Sequence, residues 1–359
     1  MAEKNISELQ EKALFLLREL IAIPSFSKEE ERTASIIEIF LQANNVQTER
    51  LLNNIWSRNK YYDASKPTIL LNSHHDTVKP DKGYTLDPFS PIEQDGKLFG
   101  LGSNDAGGSL VSLMATFLYY HQREDLAYNI IFAATAEEEI SGKNGIEALL
   151  PLLGKIEFGL VGEPTLMQMA VAERGLMVLD CTAHGTGGHA ARNEGENAVY
   201  KALEDITWFR NYRLEKVSEL LGTSKMTVTV IETENKAHNV VPAHCRFVVD
   251  VRVNELYSFD EVLQIIRSNI KSEAQPRSTR LRSTSISLEH PLVKAGLRLG
   301  RSYYGSPTTS DKSLMPFCTL KMGPGDSARS HTADEYIYIH EVKEAVEMYV
   351  ELLKGILLT

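Results

Sequence analysis

Apolar residues recur at near-helical spacing from the start of the chain. Leu9, Leu14, Leu16, Leu17 and Leu20 predict an amphipathic helix that Pro24 stops. Ser27, ahead of Glu29, Glu30 and Glu31, reads as the N-cap of a second helix with an acidic first turn. Three short apolar runs follow, TILLNSHHD (68–76), NIIFAATAEEE (129–139) and FGLVGEP (158–164), and each ends in polar residues. Between them lie the helical patterns SLVSLMATFLYYHQ (109–122) and GIEALLPLL (145–153). Strands alternating with helices predict an α/β fold whose mixed sheet is largely parallel and flanked by helices. Sites in such sheets form beyond the carboxyl ends of the strands, where His74, Asp76, Glu138, Glu139 and Glu163 fall.

The pattern changes after Arg174. LMVLDCTAHG, MTVTVIETE and CRFVVDVRV alternate as strands half-buried on one face do, and SFDEVLQIIRSNIKSEA (258–274) reads as a helix. From Pro291 the earlier pattern resumes with LVKAGLRLGRSYYG, CTLKMGPGD and a final helix, VKEAVEMYVELLKGILL. The expected organisation is therefore a catalytic domain made of residues 1–174 and 289–359, interrupted by an inserted α+β domain at 175–288. The inserted strands and helices offer a surface on which two copies could pair, so a homodimer through this domain is expected.

Composition narrows the classes of partner. A net charge of −10 argues against nucleic acid, which demands a basic face. No stretch reaches the roughly 18–20 apolar residues of a membrane span, and Glu3, Lys4, Glu8, Glu11 and Lys12 break up any leader-like run at the start. A cytoplasmic location fits these features. Cys181, Cys245 and Cys318 are odd in number and far apart; they predict no disulfide framework and read as buried small hydrophobes.

The candidate chemistry comes from five places: His74 and Asp76 in HHD, Asp105 beside a glycine pair, Glu138 and Glu139 in EEE, Glu163 in GEP, and His331 in SHTADEY. Carboxylate and imidazole donors suit zinc and its neighbours. Taken singly, each has a plainer reading. Asp105 could cap a helix, the three glutamates could be a solvated first turn, and His331 could be a loop histidine. His75 should face away from His74, because adjacent strand residues point to opposite sides.

Together, SHHDTV, GLGSNDAGG, TAEEE, VGEPT, GGHAA, NVVP and SHTADEY resemble, in order and over nearly the whole chain, the M20 family of zinc aminoacylases and exopeptidases, and within it the acetylornithine deacetylase branch. The resemblance implies two divalent metals, zinc or cobalt in its place. Asp105 would bridge them, His74 and Glu163 would complete one site, and Glu139 and His331 the other. Glu138 would be general base and then general acid, and Asp76 would orient His74. The resemblance also implies that His189, in the inserted domain, donates to the oxyanion in the partner subunit's active site. Where the family often has Gly before the first histidine and Met-Lys-Gly-Gly after the aspartate, this chain has Ser73 and Ala106-Gly107-Gly108-Ser109; no implied ligand is lost.

The implied reaction is hydrolysis of the amide of an N-acyl amino acid, N-acetylornithine first, as in arginine biosynthesis. A water held between two metals gives hydroxide near neutral pH, and Glu138 can carry its proton to the leaving amine. The substrate carboxylate needs a cation. Arg252 is the first candidate, against an alternative as a cross-strand ion pair with Asp250 or another acid. Asn239 could donate to substrate or be a turn residue before Pro242. The segments GSPTTSDKS and GPGD are expected to line the pocket. A desuccinylase or a cytosolic dipeptidase is the nearest alternative enzyme, and a non-catalytic binding protein on the same scaffold is the alternative from another class.

Overall fold

Four parallel strands make the centre of the larger part of the molecule, in the spatial order Asn129–Thr135, Thr68–His74, Phe158–Val161, Cys318–Lys321. The first two are buried along their whole length, as strands covered on both faces must be, which is why their sequences run apolar rather than alternating. Asn54–Arg58 adds to one side in antiparallel sense, followed by Glu49–Leu51, so the sheet is mixed and largely parallel at its core. The helix Gly108–Tyr120 is apolar almost all round and almost entirely buried. It packs against the amphipathic helices Ile6–Ile21 and Ile339–Leu357. The computed structural model describes residues 5–192 and 194–358; Glu3 and Lys4, noted above for their charge, lie outside them.

The chain divides into two compact units: Met1–Val171 with Ser285–Tyr304 and Ser310–Thr359, and Ala172–Thr284 with Gly305–Thr309. These limits differ from the sequence-based ones by a few residues. They also assign to the smaller unit a short return segment in which Thr309 Oγ1 donates to the Arg174 carbonyl. The smaller unit is an antiparallel sheet in the order Lys225–Glu232, His244–Val253, Gly175–His184, Glu273–Pro276. Alternate residues of Gly175–His184 are buried. Met177, Leu179, Cys181, Phe247, Val249 and Val251 form a core with Phe209 and Ala202 of the helix Ala198–Asn211 and with Val262 and Ile266 of the helix Phe259–Asn269.

Several expectations need correction. Ser27 does not cap the second helix: that helix is Glu31–Ala43, without a side-chain cap, and the Ser27 hydroxyl donates to Asp76 Oδ2 at 2.7 Å. The helix expected over 258–274 ends at Asn269. The Asp205 carboxylate accepts the N–H groups of Lys271 at 3.1 Å and Ser272 at 2.8 Å, drawing the chain out of the helix and into the strand Glu273–Pro276. Cys181 and Cys245 are buried, as expected, but Cys318 is exposed because it stands at the outer end of its strand. No helix among the described residues is long and apolar enough to cross a membrane.

Candidate metal centre

His74 closes its strand, and its imidazole is the hub of a cluster at the carboxyl end of the parallel sheet. Its Nε2 lies 3.3 Å from Asp105 Oδ1, 3.8 Å from Glu163 Oε1 and 3.9 Å from Glu138 Oε2. On the other side, His331 Nε2 lies 3.0 Å from Glu139 Oε2 and 3.7 Å from Asp105 Oδ2. The two oxygens of Asp105 thus face two different histidines. Donor atoms of His74, Glu138 and Glu163 fall within 4.8 Å of one another, as do those of His74, Asp105 and Glu139.

Local structure explains why these side chains converge. Glu163 follows the strand Phe158–Val161, and Glu138 and Glu139 follow Asn129–Thr135. The run 137–139 is a loop rather than a helical turn, entered through Glu137 at φ 56°. Asp76 shapes it: Oδ1 accepts the Glu138 N–H at 3.0 Å and Oδ2 the Glu139 N–H at 3.1 Å. The same carboxylate lies 3.4 Å from His74 Nδ1, and the Asp76 carbonyl lies 3.0 Å from that nitrogen. Asp105 sits in the wide turn Ser103–Gly107, so it is not a helix cap. Gly102, before that turn, has φ 76°, and a Cβ there would stand 2.5 Å from Thr77 Cγ2, which leaves only glycine comfortable.

The electrostatics ask for positive charge at the centre. Burial, with the neighbouring Glu163, Asp311 and Glu139 carboxylates, pushes Glu138 well above the usual carboxylate range. Burial and the nearby Asp105 and Glu139 push Glu163 up to about 8. Burial disfavours a charged His74, yet Asp105, Asp76, Glu138 and Glu163 outweigh it and hold the imidazole well above its ordinary value. The hydrogen bond that His331 donates to the Glu139 carboxylate likewise takes His331 up to about 9. Divalent cations would relieve this crowding, and the carboxylate–imidazole donors have the right chemistry for zinc-like metals.

The sequence profile of peptidase family M20/M25/M40 matches residues 70–355. The chain belongs to this family. The M20 chain is 25% identical to succinyl-diaminopimelate desuccinylases from Rickettsia bellii (strain OSU 85-389), covering 94% of this chain and 95% of that one, and from Rickettsia akari (strain Hartford), covering 95% and 99%. Among solved structures, aminopeptidase PepT from Bacillus cereus superposes with a TM-score of 0.77 at 17% identity, over 97% of this chain and 98% of that one. A dinuclear metal binding peptidase of the M20 family from Bacillus subtilis superposes with a TM-score of 0.75 at 16% identity, over 98% and 99%. The protein is thus a metal-dependent hydrolase of the amidohydrolase and peptidase kind.

The remaining sequence candidates lie elsewhere in the M20 chain. His189 belongs to the two-residue strand Gly188–His189, paired with Val240–Val241. Its neighbour Ala190 donates to the Asn239 carbonyl at 3.0 Å, so His189 and Asn239 share one ribbon of the smaller unit. The Arg252 guanidinium is taken by Asp250, with Nε at 2.9 Å from Oδ1 and Nη2 at 3.1 Å from Oδ2. This ion pair runs within one strand rather than across strands, since residues two apart face the same side. His75 points away from the cluster, its ring bridging Thr33 Oγ1 and the Asn53 carbonyl, and burial takes it down to about 4.

Two acids escaped sequence reasoning. Asp311, within GSPTTSDKS, accepts from Thr135 Oγ1 at 2.7 Å; burial moves it up to about 7, and it adds to the crowding around Glu138. Glu335, inside SHTADEY, is buried and bonded to the Asp105 turn. An acid inside a segment already singled out was the available signal, but whether it faces inward is a tertiary fact.

Proposed function

We propose that this M20 protein hydrolyses the amide bond of an N-acyl amino acid, with two divalent metals held by His74 and Glu163 on one side, Glu139 and His331 on the other, and Asp105 between them. The observation that carries this reading is the placement of Asp105 between two histidines, 3.3 Å and 3.7 Å away, with Glu138 beside the first. Metals held there would polarise the scissile carbonyl and ease deprotonation of the attacking water. Glu138 takes that water's proton and delivers it to the leaving amine. Its raised proton affinity suits the return step, and its backbone is fixed by Asp76. His189, from a partner copy, donates to the developing oxyanion. Asn239 and Arg252 contact substrate, Arg252 by leaving Asp250 for the substrate carboxylate.

The names of the relatives support an acyl group ending in a carboxylate, and N-succinyl amino acids stand beside N-acetylornithine as substrates for this reading. Homodimerisation through the smaller unit is part of the proposal. Its support is an exposed edge strand, Lys225–Glu232, with Val230 and Ile231 46% and 54% exposed, together with Tyr200 and Leu203 at 69% and 55% on the helix Ala198–Asn211. Such an edge pairs readily with another copy.

The test is a panel of N-acetylornithine, N-succinyl-diaminopimelate and a tripeptide, assayed with the metal-stripped protein reloaded with zinc or cobalt. Metal-dependent turnover of an N-acyl amino acid, faster than that of the tripeptide, is expected. Cleavage of the tripeptide alone would replace this reading with a peptidase.

A further inference from the structure

Glu335 is only 2% exposed and lies on the segment that supplies His331. Its Oε1 accepts the N–H groups of Asn104 and Asp105, both at 2.9 Å, and its Oε2 accepts that of Gly102 at 3.1 Å. Three amides of one turn therefore converge on one carboxylate. Gly102, Asn104 and Asp105 stand at the start of the turn Ser103–Gly107, where the first N–H groups have no partner within the turn itself, and unpaired donors away from water are costly. More bonds join the same two segments. Gly100 N–H donates to the Glu335 carbonyl at 2.9 Å. The Asn104 amide donates to the Asp326 carbonyl at 3.0 Å and to Ser330 Oγ at 3.2 Å, and accepts from Asp326 N–H at 3.1 Å. His331 lies inside this span, at φ 58°.

We propose that Glu335 is a positioning residue that sets the placement of two metal ligands relative to each other, Asp105 through its backbone and His331 through the shared segment. This rests on the two-metal reading above. Asp105 serves both metals in that reading, whereas His331 serves one. Loosening Glu335 displaces two ligands of the Glu139–His331 side and one ligand of the His74–Glu163 side, so the two sites should weaken unequally.

Glu335→Gln tests this. The amide keeps the shape but turns one acceptor into a donor that must face a backbone N–H. Metal-stripped wild type, Glu335→Gln and His331→Ala are titrated with cobalt, followed by calorimetry and by the visible absorption of the bound ion. In wild type two cobalt ions per chain are expected. In Glu335→Gln one step should weaken about 10–100-fold, the scale for groups that orient metal ligands, with an altered cobalt spectrum. The weakened step should be the one missing in His331→Ala, and kcat should fall more than KM changes. If Glu335→Gln binds both ions within about threefold of wild type with the same spectrum, and only its melting temperature drops, Glu335 merely holds the loop and the proposal is overturned. A wild type that takes up no cobalt sinks the metal reading itself and the positioning role with it. Should Glu335→Gln fail to fold, Glu335→Asp, which keeps the charge but falls one methylene short of the three amides, undergoes the same titration with the same two deciding outcomes.

Discussion

Glu138 and Glu139 are adjacent copies of the same side chain, yet the fold separates their chemistry. Glu139 Oε2 faces His331 at 3.0 Å, while Glu138 lies beside His74 and among other carboxylates that raise its proton affinity. Glu138→Gln should therefore retain bound metal and lose turnover by about 10²–10⁴-fold, the usual worth of a general base. Metal analysis and kcat on the same preparation check this, and near-normal turnover in a metal-replete variant would remove Glu138 from the role. Asp105→Ala should deplete both metals, because its two oxygens face different histidines, whereas His331→Ala should deplete mainly one. Metal counting on the two purified variants decides; equal depletion in both would contradict a bridging Asp105. His74, Glu138, Glu139 and Glu163 were legible in the sequence because they sit at the ends of apolar strand runs. Glu335 and Asp311 were not, because nothing in a run of loop residues says which acid turns inward.

At the scale of elements, hydrophobic periodicity carried the strands and the long helices. It failed where a side chain elsewhere captured the backbone. Asp205 ends the helix Phe259–Asn269 early by taking the next amides, and Ser27 is drawn to Asp76 instead of capping. The strand Lys225–Glu232 raises a different matter. Its edge position leaves backbone donors and acceptors free to pair, and its exposed Val230 and Ile231 would be poorly placed facing water. Ile231→Lys, a charge of the kind that blunts sheet edges, should shift the protein toward monomer without lowering metal content. Sedimentation or light scattering on wild type and variant measures it; a wild type that is already monomeric at high concentration would dismiss the dimer.

At the scale of the whole molecule, the proposal that His189 serves the partner's active site has a direct test by subunit mixing. Glu138→Gln and His189→Ala proteins should each be inactive or strongly impaired, but a mixed dimer would contain one site with both residues intact. Activity should return on mixing under conditions that exchange subunits. If labelled subunits demonstrably exchange and no activity returns, His189 does not act in trans. The sequence by itself determined the α/β class, the metal-binding family and the residues at strand ends, because strand burial and ligand chemistry both leave local, ordered marks. Only the tertiary structure decided that the Asp105 carboxylate faces both His74 and His331, that Asp76 and Glu335 hold the loops bearing the candidate ligands, and that Arg252 is paired with Asp250. Apart from the Arg252–Asp250 pair, those facts depend on contacts between segments as much as 233 residues apart, and no local pattern records which distant backbone a buried carboxylate will meet.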